Sequence, residues 1–307
     1  MLTRRATILA KIESTYGTDP TPVAGDAVLI NNMTIKPNAK FLERNFLRAS
    51  LSPQAPVVGE KYTEVTFTTE LKGSGVATTP PEVGVLFRAC AMQETIGGSS
   101  VSYAPESTPS GFESITIYAY LDGLLHKITG ARGTFELQLT AGEYGIINWT
   151  FQGLYNAPTD TALVSGTYDA TTPPIVRSAA FAVGGYSPVA TKLTFALSNQ
   201  LVQRRSMNAA EAITEIMITG RNTGGSFDPE ATLEATNPFW ADWRNGTSKA
   251  LTATIGSAAG SRCIVTAPAI VAKELSHGDR DGILTYEESF TCAETGAGND
   301  ELKLEFN

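Results

Sequence analysis

The sequence predicts a mainly β protein made of two tandem β-sandwich or barrel-like domains, each with one flanking α-helix. Three observations lead there. The composition is globular, 42% hydrophobic and only 18% charged, with plentiful Thr, Val and Gly that favour strands and turns over helices. Runs of alternating apolar and polar residues recur along the 307 positions. Two stretches also resemble each other in one order. Met33-Thr34-Ile35 falls on Leu193-Thr194-Phe195, Thr63 to Thr68 on Thr214 to Thr219, Ile115-Thr116 on Leu251-Thr252, and Gly145-Ile146-Ile147 on Gly282-Ile283-Leu284. This period exceeds the roughly 20–50 residues of solenoid repeats and reads as a duplicated domain. The expected division is an N-terminal arm (1–26), copy 1 (27–156), a linker rich in Thr, Pro and Gly (157–187), copy 2 (188–295) and a C-terminal arm (296–307).

Within the N-terminal arm, Ala6 to Glu13 is a short mixed stretch and Tyr16 to Pro22 is turn-rich. Ala27 to Ile30 and Met33 to Ile35 open the first strands, and Phe41 to Phe46 reads as a further one. Leu47 to Glu60, with Pro53 and Pro56, reads as a loop. Copy 1 is nine residues longer between Arg44 and Thr63 than copy 2 between Arg204 and Thr214. An insertion in one copy marks a contact that the other does not make. Val65, Phe67 and Thr69 alternate with Glu64, Thr66 and Thr68, the pattern of a strand with one buried face. Pro80-Pro81-Glu82 then starts a helix, because proline and an acidic residue suit the first turn. Val83, Leu86, Phe87 and Cys90 share one face of it. Asn237-Pro238 starts the equivalent helix of copy 2, where Trp240 and Trp243 read as packing residues. Strands follow each helix: Glu113 to Leu121, Leu124 to Leu139 and Gly145 to Leu154 in copy 1, then Lys249 to Ile255, Arg262 to Leu275 and Gly282 to Thr291 in copy 2. The alternating Leu302, Leu304 and Phe306 suit a strand that pairs with a neighbour.

The net charge of −8 argues against a surface that grips nucleic acid, which needs clustered Lys and Arg. It leaves room for a protein that lets DNA pass without holding it. Cys90, Cys263 and Cys292 are an odd number without metal-like spacing, which favours a reducing cytoplasm over a disulfide framework. No apolar run reaches the roughly 20 residues of a membrane span, so no membrane insertion is expected. No cofactor is expected either. His126 and His277 occupy non-equivalent places, with no nucleophile, P-loop or zinc-protease motif nearby. One segment, His277 to Glu288, resembles a calcium loop, with Asp279, Asp281 and Glu288 at the third, fifth and twelfth positions. His277 replaces the first carboxylate, the flanks read as strands, and Asp281-Gly282 is a strong hairpin signal. The segment therefore reads as a hairpin.

The N-terminal run Ala10-Lys11-Ile12-Glu13-Ser14-Thr15-Tyr16-Gly17-Thr18-Asp19-Pro20, followed by Pro22 and Asp26, resembles the opening of major tail tube proteins from long, non-contractile-tailed bacteriophages. The order of strands, long loop, strands, helix and strands fits that family across nearly the whole chain. The resemblance implies tail tube domains in stacked rings whose inner strands join into one barrel around a DNA channel. It also implies self-assembly, DNA passing through the lumen without specific binding, and contacts with tape measure, tail terminator and distal tail or baseplate proteins. It places the chain in the virion tail, and in the host cytoplasm during assembly. Most members have one such domain and form hexamers, so two per chain imply a trimer with pseudo-sixfold symmetry. The loop that reaches the next ring in the family matches this chain's inserted loop. That makes Leu47, Leu51, Pro53, Pro56, Val57, Val58 and Glu60 the inter-ring contact candidates. Two other classes fit a two-domain β chain: a host-surface binding or tail-tip protein, and a carbohydrate-active enzyme on a β-sandwich scaffold.

Overall fold

The computed structural model describes residues 2–296 and 298–307. Met1 and Ala297, which fall in the two expected arms, lie outside the described residues. In chain order the elements are β1 (Ala6–Ile12), β2 (Ala27–Val28), β3 (Asn31–Leu42), β4 (Val57–Glu70), α1 (Gly84–Ala89), β5 (Met92–Ile96), β6 (Val101–Pro105), β7 (Ile115–Leu121), β8 (Leu124–Thr140), β9 (Ile146–Tyr155) and β10 (Thr159–Asp160). Then follow β11 (Ala182–Val183), β12 (Ala190–Ala196), β13 (Asn199–Arg205), β14 (Ile213–Arg221), β15 (Gly224–Pro229), α2 (Phe239–Asn245), β16 (Ser248–Ile255), β17 (Cys263–Arg280), β18 (Ile283–Cys292) and β19 (Lys303–Phe306). The protein is mainly β with two short helices, as the alternation and the proline-led starts predict.

Two long strands organise the sheet. The first part of β8 pairs with β7, its middle with β9 and its last five residues with β12. The first part of β17 pairs with β16 and β19, and the rest with β18. Both ladders shift register mid-strand, at Thr129/Arg132 in β8 and at Ala272/Glu274 in β17. Such bulges bend a strand and increase its twist, so each long strand leaves one layer and enters another. The continuous inner layer runs β3-β4-β9-β8-β12-β15-β18-β17. Outer strands β1, β2 and β7 cover it at one end, and β16, β19, β6 and β5 at the other.

Period-2 alternation buries one face of the inner layer. Val65, Phe67, Leu137, Leu139, Ile147, Trp149, Phe151, Leu193, Phe195, Phe227 and Phe290 all belong to one core cluster with α1 and the outer strands. Phe87 of α1 sits edge-on to Trp149 at 5.0 Å and to Phe135 at 5.1 Å. The Trp149 indole nitrogen donates to the Thr69 hydroxyl at 2.8 Å, which satisfies the one polar atom that this ring buries.

Three segments do more than their sequence suggests. Within the expected N-terminal arm, Ala6–Ile12 is a strand paired along its full length with β7, and Ile8, Leu9 and Ala10 are buried. It carries apolar residues on both faces because it is covered on both, so alternation gives no signal. Met92 to Pro105 forms the hairpin β5–β6. At the C-terminus, the expected strand, β19, pairs with β17 on one side and β6 on the other, and its Leu304 and Phe306 are buried, as is Leu302 just before it.

The turn-rich N-terminal segment grips the bend of β8. The buried Glu13 carboxylate accepts from Ser114 and Thr116 hydroxyls at 2.7 and 2.6 Å and from the Gly130 backbone N–H at 2.7 Å. Gly130 has φ +58°, a left-handed conformation that glycine adopts without a Cβ clash. The Tyr16 hydroxyl donates to the Gly130 carbonyl at 2.8 Å and accepts from the Ile216 N–H of β14 at 2.7 Å. The Arg132 guanidinium lies 5.0 Å from the Tyr16 ring. It donates to the Glu215 carboxylate and the Ile216 carbonyl, both at 2.8 Å. Removing the Tyr16 hydroxyl strands a partly buried donor and acceptor at once, at a cost of about 1–3 kcal/mol. Tyr16→Phe should therefore lower the urea midpoint with an unchanged slope. An unchanged midpoint would show that this clamp adds nothing.

Candidate assembly surfaces

The inner layer ends at two strands with one free side each. β3 pairs with β4 alone, and beyond its bulge β17 pairs with β18 alone, among the described residues. Each free edge presents unpaired backbone donors and acceptors, which makes it a template for another strand. Both carry apolar residues on the core side. Met33 and Ile35 of β3 are half-buried against the core cluster. On β17, Leu275 packs against that cluster, and His277 lies between Trp240 and Tyr286 at ring distances of 5.2 and 5.4 Å. The Trp243 indole nitrogen donates to the Lys273 carbonyl at 3.1 Å, where the free edge of β17 begins.

The opposite face of the inner layer is polar and mostly acidic. Glu64, Glu70, Glu136, Asp228, Glu230, Glu274 and Glu287 lie on it, against Lys36, Lys192 and Arg280, whose guanidinium is paired with Asp228 at 3.4 Å and Glu230 at 3.6 Å. Hydroxyls and amides fill the positions between and bond to one another: Thr68 to Asn148 at 3.1 Å, Gln152 to Glu64 at 3.2 Å, Gln138 to Glu136 at 2.9 Å and Thr194 to Ser226 at 2.9 Å.

The predicted contact loop is shorter than expected at its far end, because Val57 and Val58 already belong to β4, opposite Leu42 and Phe41. Leu47 and Leu51 are fully exposed, and Pro53 and Pro56 are exposed as well. With Phe41, Leu42, Phe46, Val57 and Val58 they form an apolar tip turned to solvent. Glu60 is engaged inside the chain instead. Arg205 of β13 donates to its carboxylate at 2.9 Å and holds it below the usual carboxylate range. Tyr16, Arg132 and Arg205 connect the two halves, and nothing in their sequence context marks them for that role.

His277 to Glu288 is a β-hairpin. Arg280 pairs with Ile283 across the two-residue turn Asp281-Gly282, with φ of +54° and +85°, the pattern of a primed hairpin turn. Asp279 lies opposite Leu284 and Glu288 opposite Leu275, four rungs and about 13 Å apart, so these carboxylates do not converge. No group of three His, Cys, Asp or Glu side chains is placed to hold a metal among the described residues. His126 lies in β8 opposite Ala119, with burial lowering its pKa. The thiols of Cys90, Cys263 and Cys292 are buried, and burial raises all three.

The chain is thus a mainly β protein with unpaired edges at both ends of one continuous sheet, among the described residues, and an exposed apolar loop. A protein-family model described as phage tail tube protein matches residues 3–306. The chain belongs to that family and is a structural component of the virion tail. No curated protein matches it.

Glu288 generates a pH dependence. It is buried beneath α2 beside Asp242 and Lys249. Burial pushes its carboxyl up to about 7, with Lys249 opposing and Asp242 adding to the shift. The native chain thus holds this proton more tightly than the unfolded chain, whose glutamates titrate near 4.5. The contribution is full below about pH 4.5 and is lost as pH rises through 7. Glu288→Gln should abolish that decline and raise stability above pH 7 by roughly 3 kcal/mol. Urea titrations at pH 5 and pH 8 test this: a variant with the parental pH slope would refute it.

Proposed function

We propose that three chains close into a ring with pseudo-sixfold symmetry, and that rings stack head to tail into the tube of a long, non-contractile tail. In this reading, 27–156 and 188–295 are two copies of one tube domain joined by 157–187. The order β12-β15-β18-β17 repeats β3-β4-β9-β8. The stacked pair Phe67–Phe151 at 5.9 Å also has a counterpart in Phe227–Phe290 at 6.0 Å. The observation that carries the reading is the junction already present in the chain. There β12 of copy 2 pairs with the end of β8 of copy 1. Free β3 and free β17 are the same two kinds of edge, so the chain can repeat between subunits the join it makes within itself.

Three chains of eight inner strands close a barrel of roughly 24 strands, well beyond the roughly 16 at which barrels leave an aqueous channel. The core sits outside that barrel, so the acidic polar face lines the lumen. There Glu64, Glu70, Glu136, Asp228, Glu274 and Glu287 repel phosphates while the genome slides through unbound. Exposed Leu47 and Leu51 reach the next ring. Such head-to-tail contacts do not close and so propagate a filament. The chain performs no catalysis. It assembles in the host cytoplasm, where its ends meet tape measure, terminator and distal tail proteins.

Concentrated protein viewed by negative-stain microscopy should form hollow tubes with three chains per ring. Persistent monomers would overturn the reading, and six chains per ring would overturn the trimer. Shortening residues 47–55 should leave folded subunits that form no tubes, whereas normal tubes would clear the loop of an inter-ring role.

A further inference from the structure

The geometry points to a specific register for the subunit junction: Ile35 of one chain lies opposite His277 of the next, and Lys36 opposite Ser276. The inference rests on the ring reading and adds the residues that meet.

The register follows from the ladders. Thr34 pairs with Thr66 and Thr194 with Ser226, so each partner is followed by its counterpart phenylalanine, Phe67 or Phe227. Thr66 pairs onward with Thr150, and Ser226 with Ser289, which makes Phe151 and Phe290 equivalent. Counting along these strands matches Ile147 with Tyr286. Their partners on the long strands are Leu137 and His277. Within the chain, Phe195 lies opposite Leu137 and Ala196 opposite Glu136. Ile35 and Lys36 take the places of Phe195 and Ala196, while His277 and Ser276 take those of Leu137 and Glu136.

Side chains fit this placement. Ile35 lands on the His277 ring, which is tilted against Trp240 and edge-on to Tyr286, and gains an apolar neighbour where Phe195 has Leu137. Lys36, on the polar face, comes diagonally to Glu274, a distance that long side chains span. The ends of the ladder are also marked. Leu197 donates to the Phe135 carbonyl at 3.1 Å in the internal junction, but its counterpart is Pro37, which has no N–H to give. Next along β17, the Lys273 carbonyl is already occupied by the Trp243 indole. Pairing therefore stops at the same point on both strands.

Disulfide trapping tests the register. Cβ atoms directly opposite in such a ladder lie about 4.5–5.5 Å apart, against about 7–8 Å on the diagonal, and disulfides need about 3.5–4.5 Å. Under mild oxidation of assembled protein, Lys36→Cys with Ser276→Cys should cross-link neighbouring chains about ten-fold faster than Lys36→Cys with Glu274→Cys or with Gly278→Cys. The ladder of products should end at three chains. The native cysteines are buried, and each single-cysteine chain serves as the control for folding and assembly. Faster trapping at either shifted pair overturns the register and leaves the ring intact. Tubes in which no pair cross-links overturn the junction itself. A parent chain that never assembles overturns both readings.

Discussion

A β-sheet cannot simply end, because its last strand carries a row of backbone donors and acceptors that water satisfies only at the risk of uncontrolled pairing. Here that constraint is set by two strands, β8 and β17, each too long for one layer. Each bends at a bulge, and beyond the bend each opens a second edge. In β8 the chain itself fills that edge with β12, through five paired residues flanked by Ala141 N–H to Thr191 C=O at 2.9 Å and Leu197 N–H to Phe135 C=O at 3.1 Å. In β17 it is left open. The internal junction makes one continuous layer of eight strands and, among the described residues, leaves one unfilled edge of each kind at the ends.

Such bends need support, since a bulge exposes backbone groups that the ladder no longer satisfies. In β8 the N-terminal segment provides it. Glu13 takes the Gly130 N–H and Tyr16 takes the Gly130 carbonyl, while Arg132 projects to the β13–β14 hairpin. The short run that gives the sequence its family resemblance is therefore structural, and its residue types follow from the job. A carboxylate accepts several donors at once, and a phenol both donates and accepts. Chemistry of this kind ties the first residues to the second half of the chain, which no local pattern reveals.

What alternation could reveal, it did. Val65, Phe67 and Thr69 are buried as the two-residue period requires, and both proline-led helices form. One sequence match falls on a different strand. Matching Thr63 with Thr214 sets β4 against β14, whereas the ladder positions in the proposed repeat set β4 against β15, with Phe67 on Phe227, because neighbouring strands of similar composition offer equally good local matches. The strand β1 escapes for a different reason. Thr7, Ile8, Leu9 and Ala10 are all buried, and a strand covered on both sides has no polar phase to read. The open edges were equally hidden, since an edge is defined by a neighbour that is missing, and sequence records no such absence.

The two halves share a topology and spend it differently. In the second, the β13–β14 hairpin folds back over β8 and β9, held by Arg132 to Glu215 and by Gln203 to Gln152 at 2.7 Å. In the first, β3 and β4 carry their hairpin outward to exposed Leu47 and Leu51. In the proposed ring, joining two domains in one chain would also make the two junctions unequal. The internal one forms with no loss of translational freedom, whereas the same contact between chains must overcome that loss, several kcal/mol at ordinary concentrations. The internal join is therefore complete in every folded subunit, and the external join depends on concentration. Pro37 and Trp243 would shorten the proposed external ladder further, which suits an edge that has to remain soluble on a free subunit and still pair in a ring. In the proposed ring, duplication thus fixes half of the junctions in advance and leaves the other half as the step at which assembly is controlled.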